Sequence, residues 1–89
     1  MFLKKPAKAG TYESNDIYIM LFPGAEGNVL ELESAVYETY GKQIKRVIFE
    51  VLEKYQAENV LVKAIDKGAL DYTIRARLIT ALKRGGIDV

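Results

Sequence analysis

The apolar and polar positions along the chain predict a small β-sheet. Residues 17–22 are an uninterrupted apolar run rich in β-formers, typical of a strand buried on both faces or nearly so. Residues 29–36 instead alternate between apolar side chains and polar ones, as in a strand with one wet face. Residues 59–65 are predicted to form a further strand. A short strand over residues 8–12 is predicted to come first in the chain. The loop-forming residues 23–28 favour a hairpin between the first two long strands.

A long helix is predicted from Tyr40–Gly41 onward. We place the start there because a glycine costs about 1 kcal/mol in a helix interior. The strand–helix–strand order over residues 29–65 then predicts a right-handed crossover. Apolar side chains with helical spacing make one stripe that faces the sheet, formed by Ile44, Val47, Ile48, Val51, Leu52 and Tyr55.

The last segment, residues 70–84, is consistent with two structures. A basic pair before Gly85 is typical of a helix C-terminus, while alternation around Ile74 also fits a hairpin strand. We favour the helix, which gives an α+β fold with three to four strands and two helices on one face of the sheet. The alternative has a C-terminal hairpin strand instead. As a helix, the segment carries a core stripe formed by Leu70, Ile74, Leu78, Ala81 and Leu82. A second apolar strip, which either contacts a partner or is simply buried, is formed by Tyr72, Ala76 and Ile79.

Length and composition narrow the class of protein. The 89 residues predict one domain, residues 1–89, and a net charge of +1 does not favour nucleic acid as a partner. Without cysteine, a secretory signal or an apolar run of about 18 residues, we expect a cytoplasmic protein that does not enter the membrane. The absence of histidine and cysteine excludes Ser–His and Cys–His pairs. We therefore predict no catalytic residue, no metal site, and a binding, carrier or structural role.

A polar turn precedes the first long strand. Residues 9–16 are rich in turn formers, so a turn is expected near Ser14. In one interpretation the serine oxygen caps a nearby backbone amide. In the other, the hydroxyl is exposed so that another protein can modify it. The residues of the turn alone favour the first interpretation.

Two segments carry a resemblance to a known family. Residues 5–16 resemble the N-terminal signature of citrate lyase acyl carrier proteins, and residues 66–71 with Arg75 and Arg77 resemble the C-terminal one. Tyr12 and Asn15 depart from that pattern, but Ser14 itself matches it. The resemblance covers residues 5–84, nearly the whole chain.

The resemblance implies a carrier rather than a catalyst, the gamma subunit of citrate lyase. Its serine, here Ser14, bears 2'-(5''-triphosphoribosyl)-3'-dephospho-coenzyme A through a phosphodiester. The thiol of this group holds acetyl and citryl thioesters while the alpha and beta subunits cleave citrate to acetate and oxaloacetate. A prosthetic-group transferase and an acetylating ligase are the other implied partners.

Residues around Ser14 are expected to shape the turn or to be recognised by the transferase. Gly10, Glu13 and Asp16 are the candidates for recognition. The lysines near the start of the chain could attract the anionic prosthetic group, although solvated side chains are the preferred interpretation: Lys4, Lys5 and Lys8.

A second class of function stays open, namely a non-catalytic α+β module that binds protein or RNA. Residues 24–27 have the G-x-x-G form with which some RNA-binding modules clamp a backbone. They lie between predicted strands and include an acidic residue, so a plain hairpin loop is the preferred interpretation.

Overall fold

The computed structural model describes all 89 residues and contains one four-stranded sheet and two helices. The elements in chain order are β1 (Ala7–Gly10), β2 (Ile17–Pro23), β3 (Val29–Ser34), α1 (Tyr37–Lys54), β4 (Val60–Asp66) and α2 (Asp71–Arg84). The predicted α+β class and the C-terminal helix are confirmed, and the alternative of a C-terminal hairpin strand is wrong. Strands β1 and β3 each end two residues before their predicted ends. Neither helix has the length and apolarity needed to cross a membrane.

The strand order β1-β2-β4-β3 makes β4 a central strand. β4 pairs with β2 in antiparallel and with β3 in parallel, so α1 is the crossover connection between two parallel neighbours. The predicted hairpin between β2 and β3 is therefore wrong. Turn-forming residues show where a chain reverses, but the choice of partner strand depends on distant residues. The loop instead packs against Asn59, which accepts hydrogen bonds from the amides of Ala25 at 3.1 Å and Gly27 at 3.0 Å.

The core lies between the helices and one face of the sheet. Ile17, Ile19 and Leu21 of β2 are fully buried on that face, while alternate residues such as Tyr18 and Met20 are only half-buried. The prediction that β2 is buried on both faces or nearly so therefore holds for one face, while the other face is only half-buried. An apolar run does not reveal how many layers cover a strand, and here only one face carries helices.

Helix α1 begins at Tyr37, three residues before the predicted start, and Gly41 lies buried inside it. A Cβ on Gly41 would lie 3.1 Å from the Tyr37 ring, so the glycine leaves room for that ring. Close packing thus offsets the poor helix propensity that led us to start the helix too late. Just before the helix, the Val36 amide donates to the Ser34 hydroxyl at 3.1 Å.

The predicted core stripe of α1 is confirmed, with all its members buried except the half-buried Tyr55.

Helix α2 has one buried and one exposed side. Four members of its predicted core stripe are fully buried, namely Ile74, Leu78, Ala81 and Leu82, whereas Leu70 is 59% exposed. On the other side, Tyr72 is 71% exposed and Ala76 is also exposed. Ile79 is half-buried and packs against the core. The interpretation that the strip is simply buried is therefore wrong for Tyr72 and Ala76, which face solvent, and holds in part for Ile79.

The core stripe of α1 allows a direct test. Val51→Asp should abolish cooperative unfolding, because it places an unpaired carboxylate at a position that is 2% exposed. Glu53→Ala on the exposed side of the same helix should change the free energy of unfolding by no more than about 0.5 kcal/mol. Thermal melts followed by circular dichroism measure both. Equal melting temperatures would contradict the orientation of the helix.

Candidate functional site

Residues 11–16 connect β1 to β2 through a tight turn. The Asp16 amide donates to the Glu13 carbonyl at 3.2 Å, which places Ser14 and Asn15 at the centre of a four-residue β-turn. Asn15 has a φ of 64°, a left-handed conformation that asparagine tolerates better than most residues. The predicted turn at Ser14 is thus confirmed.

Gly10 has a structural role at the start of this connection. Its φ is 99°, and a Cβ built on it would lie 1.8 Å from the Ile17 carbonyl oxygen. Any side chain would push the two strands apart at the base of the turn. Backbone geometry therefore explains why glycine is required here, and recognition of Gly10 by a transferase stays a prediction.

Asp16 anchors the turn to the rest of the molecule. Its side chain is nearly buried and accepts hydrogen bonds from the Thr11 hydroxyl at 2.6 Å and the Ile17 amide at 2.7 Å. Arg77 of α2 donates to the same carboxylate through Nε at 3.0 Å and Nη2 at 2.7 Å. This bidentate geometry is the strongest form of an arginine–carboxylate contact. It fixes the turn against the helix.

The electrostatics of this pair favour the charged state of both partners. Hydrogen bonds from Arg77 lower the pKa of Asp16 from 3.8 to about 2, helped by Thr11 and the Ile17 amide and opposed by burial. In turn, Asp16 raises the pKa of Arg77 above its ordinary value. The ion pair is therefore intact at neutral pH.

The turn also contacts the connection between β4 and α2. The Asn15 amide donates to the Lys67 carbonyl at 2.8 Å, and the Lys67 amide donates to the Asp16 carbonyl at 2.9 Å. These paired bonds bring the two signature segments side by side, although they are about fifty positions apart in the sequence.

Asp66 organises the same connection from inside. It is 1% exposed, and its carboxylate accepts hydrogen bonds from the Ser34 hydroxyl at 2.8 Å and the amides of Gly68 at 3.1 Å and Ala69 at 2.9 Å. One buried carboxylate thus joins the end of β3 to the loop that supports the turn. A buried charge satisfied in this way stabilises a single loop conformation.

Ser14 itself is exposed at the tip of this assembly. The side-chain hydrogen bonds that fold the turn use Thr11 and Asp16, and none uses the Ser14 hydroxyl. The interpretation of Ser14 as a capping residue is therefore wrong. The Ser14 hydroxyl is thus exposed and without a hydrogen-bond partner, on a turn that is held from both sides.

Of the early lysines, Lys4 lies away from the turn, whereas Lys8 lies in β1 two residues before Gly10. The Lys4 amide donates to the Gly85 carbonyl at 2.8 Å, at the C-terminal end of α2. The turn contacts the residues just before the other end of this 14-residue helix, about 20 Å away. This supports the interpretation of Lys4 as a solvated side chain.

Two residues near the turn were missed by sequence reasoning, Lys67 and Arg77. Each belongs to the second signature segment, so the signal was present. However, nothing in the spacing paired either residue with the first segment. Only the fold brings them to the Ser14 turn.

Comparison with known proteins identifies the class. A family model described as "ACP: Malonate decarboxylase delta subunit (MdcD)" matches residues 4–85. The citrate lyase acyl carrier protein of Lactobacillus acidophilus is 51% identical over 84 residues, which cover 94% of this chain and 87% of that protein. That of Halothermothrix orenii is 45% identical, with 94% and 89% covered. The chain belongs to the citrate lyase acyl carrier protein family. It is accordingly an acyl carrier subunit, and such carriers hold a covalently attached prosthetic group.

A solved structure has the same fold. A chain of a Pseudomonas malonate decarboxylase hetero-tetramer, crystallised in complex with malonate, superposes with a TM-score of 0.78 at 22% identity. The alignment covers 97% of this chain and 89% of that one. At this identity the likeness shows that the two chains share a fold.

The Asp16–Arg77 pair predicts a pH-dependent loss of stability. Because the pKa of Asp16 is lowered, the pair's contribution to the free energy of unfolding is complete above pH 3.8 and is lost as the pH falls through about 2. Arg77→Gln should reduce the free energy of unfolding by about 1–2 kcal/mol near neutral pH and progressively less toward pH 2. Urea unfolding across that pH range measures the difference.

Arg75→Gln is the matched control on the same helix. Arg75 donates to Glu50 at 2.7 Å, but both side chains are well exposed, so its loss should cost no more than about 0.5 kcal/mol. Equal losses for the two variants, or an Arg77→Gln loss that is undiminished at pH 2, would contradict the anchoring role.

Proposed function

We propose that this chain is the gamma subunit of citrate lyase and that Ser14 is its site of covalent attachment. The prosthetic group is the one supplied as 2'-(5''-triphosphoribosyl)-3'-dephospho-coenzyme A. The observation that best supports this proposal is the exposed, unbonded hydroxyl of Ser14 on a turn anchored at both ends. In this account residues 1–89 act as one carrier domain in the cytoplasm.

The other hydroxyls near the turn are less suited to be the attachment site of a phosphodiester-linked group. The Thr11 hydroxyl donates to Asp16, and the Tyr12 ring packs against Tyr18 with 4.6 Å between ring centroids. The chain's other serine, Ser34, is half-buried and bonded to Asp66. Of the two serines, Ser14 is the exposed one, and its hydroxyl has no hydrogen-bond partner in the chain.

Attachment is a phosphoryl transfer to the serine oxygen. The Ser14 Oγ forms a bond to the phosphorus next to the ribose, the bond to the remaining diphosphate breaks, and the hydroxyl proton passes to a base of the transferase. Diphosphate is the leaving group, so the product is a phosphodiester. The chain supplies a nucleophilic oxygen in an accessible position and no acid or base of its own.

When bound, the prosthetic group supplies a thiol on which acetyl and citryl groups are held as thioesters. The chemistry on citrate, which yields acetate and oxaloacetate, belongs to the alpha and beta subunits, and recharging belongs to the acetylating ligase. The carrier holds the attachment point, so the local concentration of thioester near the partner active sites is high. A chain without histidine or cysteine is sufficient for that role.

Among the three residues proposed for transferase recognition, exposure favours Glu13. Glu13 lies on the turn with its side chain in solvent, whereas Asp16 is nearly buried and already bonded to Arg77. Asp16 and Gly10 then contribute by shaping the turn, and Glu13 is the contact available to another protein.

Ser14→Ala tests the attachment residue. The variant should fold like the parent, because its exposed hydroxyl makes no hydrogen bond within the turn. After co-expression with the transferase, its intact mass should equal the mass calculated from its sequence, and a complex assembled with it should not cleave citrate. Parent chain treated in the same way should be heavier by the prosthetic group.

Ser34→Ala is the matched control, since it removes the only other serine. It should be modified like the parent, even if the loss of its bond to Asp66 lowers stability by about 1 kcal/mol. A Ser14→Ala protein that gains the prosthetic group would exclude this serine as the attachment residue.

We further infer that the exposed strip on α2 contacts the large subunits. An aromatic ring that is 71% exposed, as Tyr72 is, gains more from burial than any other side chain of that helix. Tyr72→Ser should weaken assembly with the alpha and beta subunits while leaving the melting temperature unchanged. Ile79 is a poorer target because it also packs against the core.

Phe49→Ser on α1 is the control for general loss of exposed aromatic surface, since Phe49 is 39% exposed. Size-exclusion chromatography of mixtures with the large subunits measures assembly. A Tyr72→Ser chain that assembles as well as the parent would remove this surface from the account.

A further inference from the structure

A groove opens directly beside the Ser14 turn. Its volume is about 330 Å³, at the lower end of the range for small-molecule sites. Asn15 forms one wall, Tyr40 and Ile44 of α1 form another, and Leu70 with Asp71 closes it at the start of α2. Nothing in the chain's own fold fills it.

We propose that this groove binds the adenine base of the prosthetic group attached to Ser14. The inference rests on the proposed function, because the ligand is tethered there. From the serine outward, the group consists of a phosphoribosyl unit, adenosine, a diphosphate and the pantetheine that ends in the thiol. The first flat, uncharged part to follow Ser14 is therefore adenine, and the groove begins at the residue next to Ser14.

The shape and apolar surface of the groove suit a purine. The Tyr40 side chain is 53% exposed and Leu70 is 59% exposed, which is costly for large apolar groups unless something covers them. A base can stack on the tyrosine ring, as bases do in single-stranded nucleic acid sites. Ile44 supplies a buried apolar floor.

The polar groups of the groove favour an uncharged ligand that carries a hydrogen-bond donor. Asp71 provides a carboxylate, both of whose oxygens accept a hydrogen bond from Gln43 Nε2 at 3.0 Å. The remaining lone pairs of Asp71 can accept the exocyclic amino group of adenine. The same negative charge repels the phosphates and the diphosphate of the prosthetic group. The groove therefore suits the adenine base, while the phosphates on either side of the adenosine remain outside it.

Binding of the base would leave the thioester end free. Because the diphosphate follows the adenosine and is kept out of the groove, the pantetheine starts at the groove rim and extends into solvent. Part of the flexible tether is then immobilised close to the turn, and the thiol searches a smaller volume around the carrier. The same contact would hold the base away from the partner active sites.

The test uses the isotope-labelled full chain, unloaded and loaded by the transferase, and starts with its mass. In the loaded chain, isotope-filtered nuclear Overhauser spectra should connect the adenine H2 and H8 protons to the Tyr40 ring and to methyl groups of Ile44 and Leu70. Backbone amide signals of residues 68–71 should shift relative to the unloaded chain. Neither readout depends on lyase activity.

Tyr40→Ala should abolish the adenine contacts, with the fold retained because this side chain is mainly exposed. Tyr72→Ala is the matched control on α2, outside the groove, and should keep them. If the loaded chain shows shifts only at residues 13–16, or if pantetheine protons contact the groove instead of adenine, this inference is overturned and the proposed function stands. If no mass is gained on Ser14, both fall.

Discussion

The functional end of this molecule depends on one ion pair, that between Asp16 and Arg77. It joins a turn in the first fifth of the chain to the middle of the last helix, across 61 positions. Hydrogen bonds from Arg77 are the largest cause of the lowered pKa of Asp16, so the contact favours the charged form of this carboxylate. Without it the turn would keep its backbone bonds and the hydrogen bonds of Thr11, but would lose its side-chain bond to α2. Under the proposed function, this fixed turn presents the Ser14 oxygen to the transferase in one orientation.

The rest of the site is built on that contact. The buried carboxylate of Asp66 orders the connection after β4, and the backbone of Lys67 bonds to Asn15 and Asp16 on both sides of the turn. The two segments that resemble the family signatures therefore form one structural unit. Within them Asp16, Asp66 and Arg77 bond to the protein itself, while the Ser14 hydroxyl is exposed and has no hydrogen-bond partner.

Local patterns in the sequence predicted what depends on local forces. The α1 stripe from Ile44 to Leu52 follows from helical periodicity, and the turn at Ser14 follows from turn formers. Features that depend on distant partners were missed: the pairing of β2 with β4, the packing of Tyr37 that permits Gly41 within the helix, and the Asp16–Arg77 contact. Ser14 was singled out through the family resemblance, since its own turn favoured a capping role. The structure adds that this hydroxyl is exposed and has no hydrogen-bond partner.

The central claim is that the prosthetic group is attached at Ser14, and fragment-ion mass spectrometry of the chain from an active lyase tests it most directly. Cleavage after lysine releases residues 9–42 as one peptide, which contains both serines of the chain. The account predicts that the added mass begins at Ser14 in the fragment series, with fragments through Glu13 unmodified. Added mass on Thr11, Ser34 or any other residue would contradict the account.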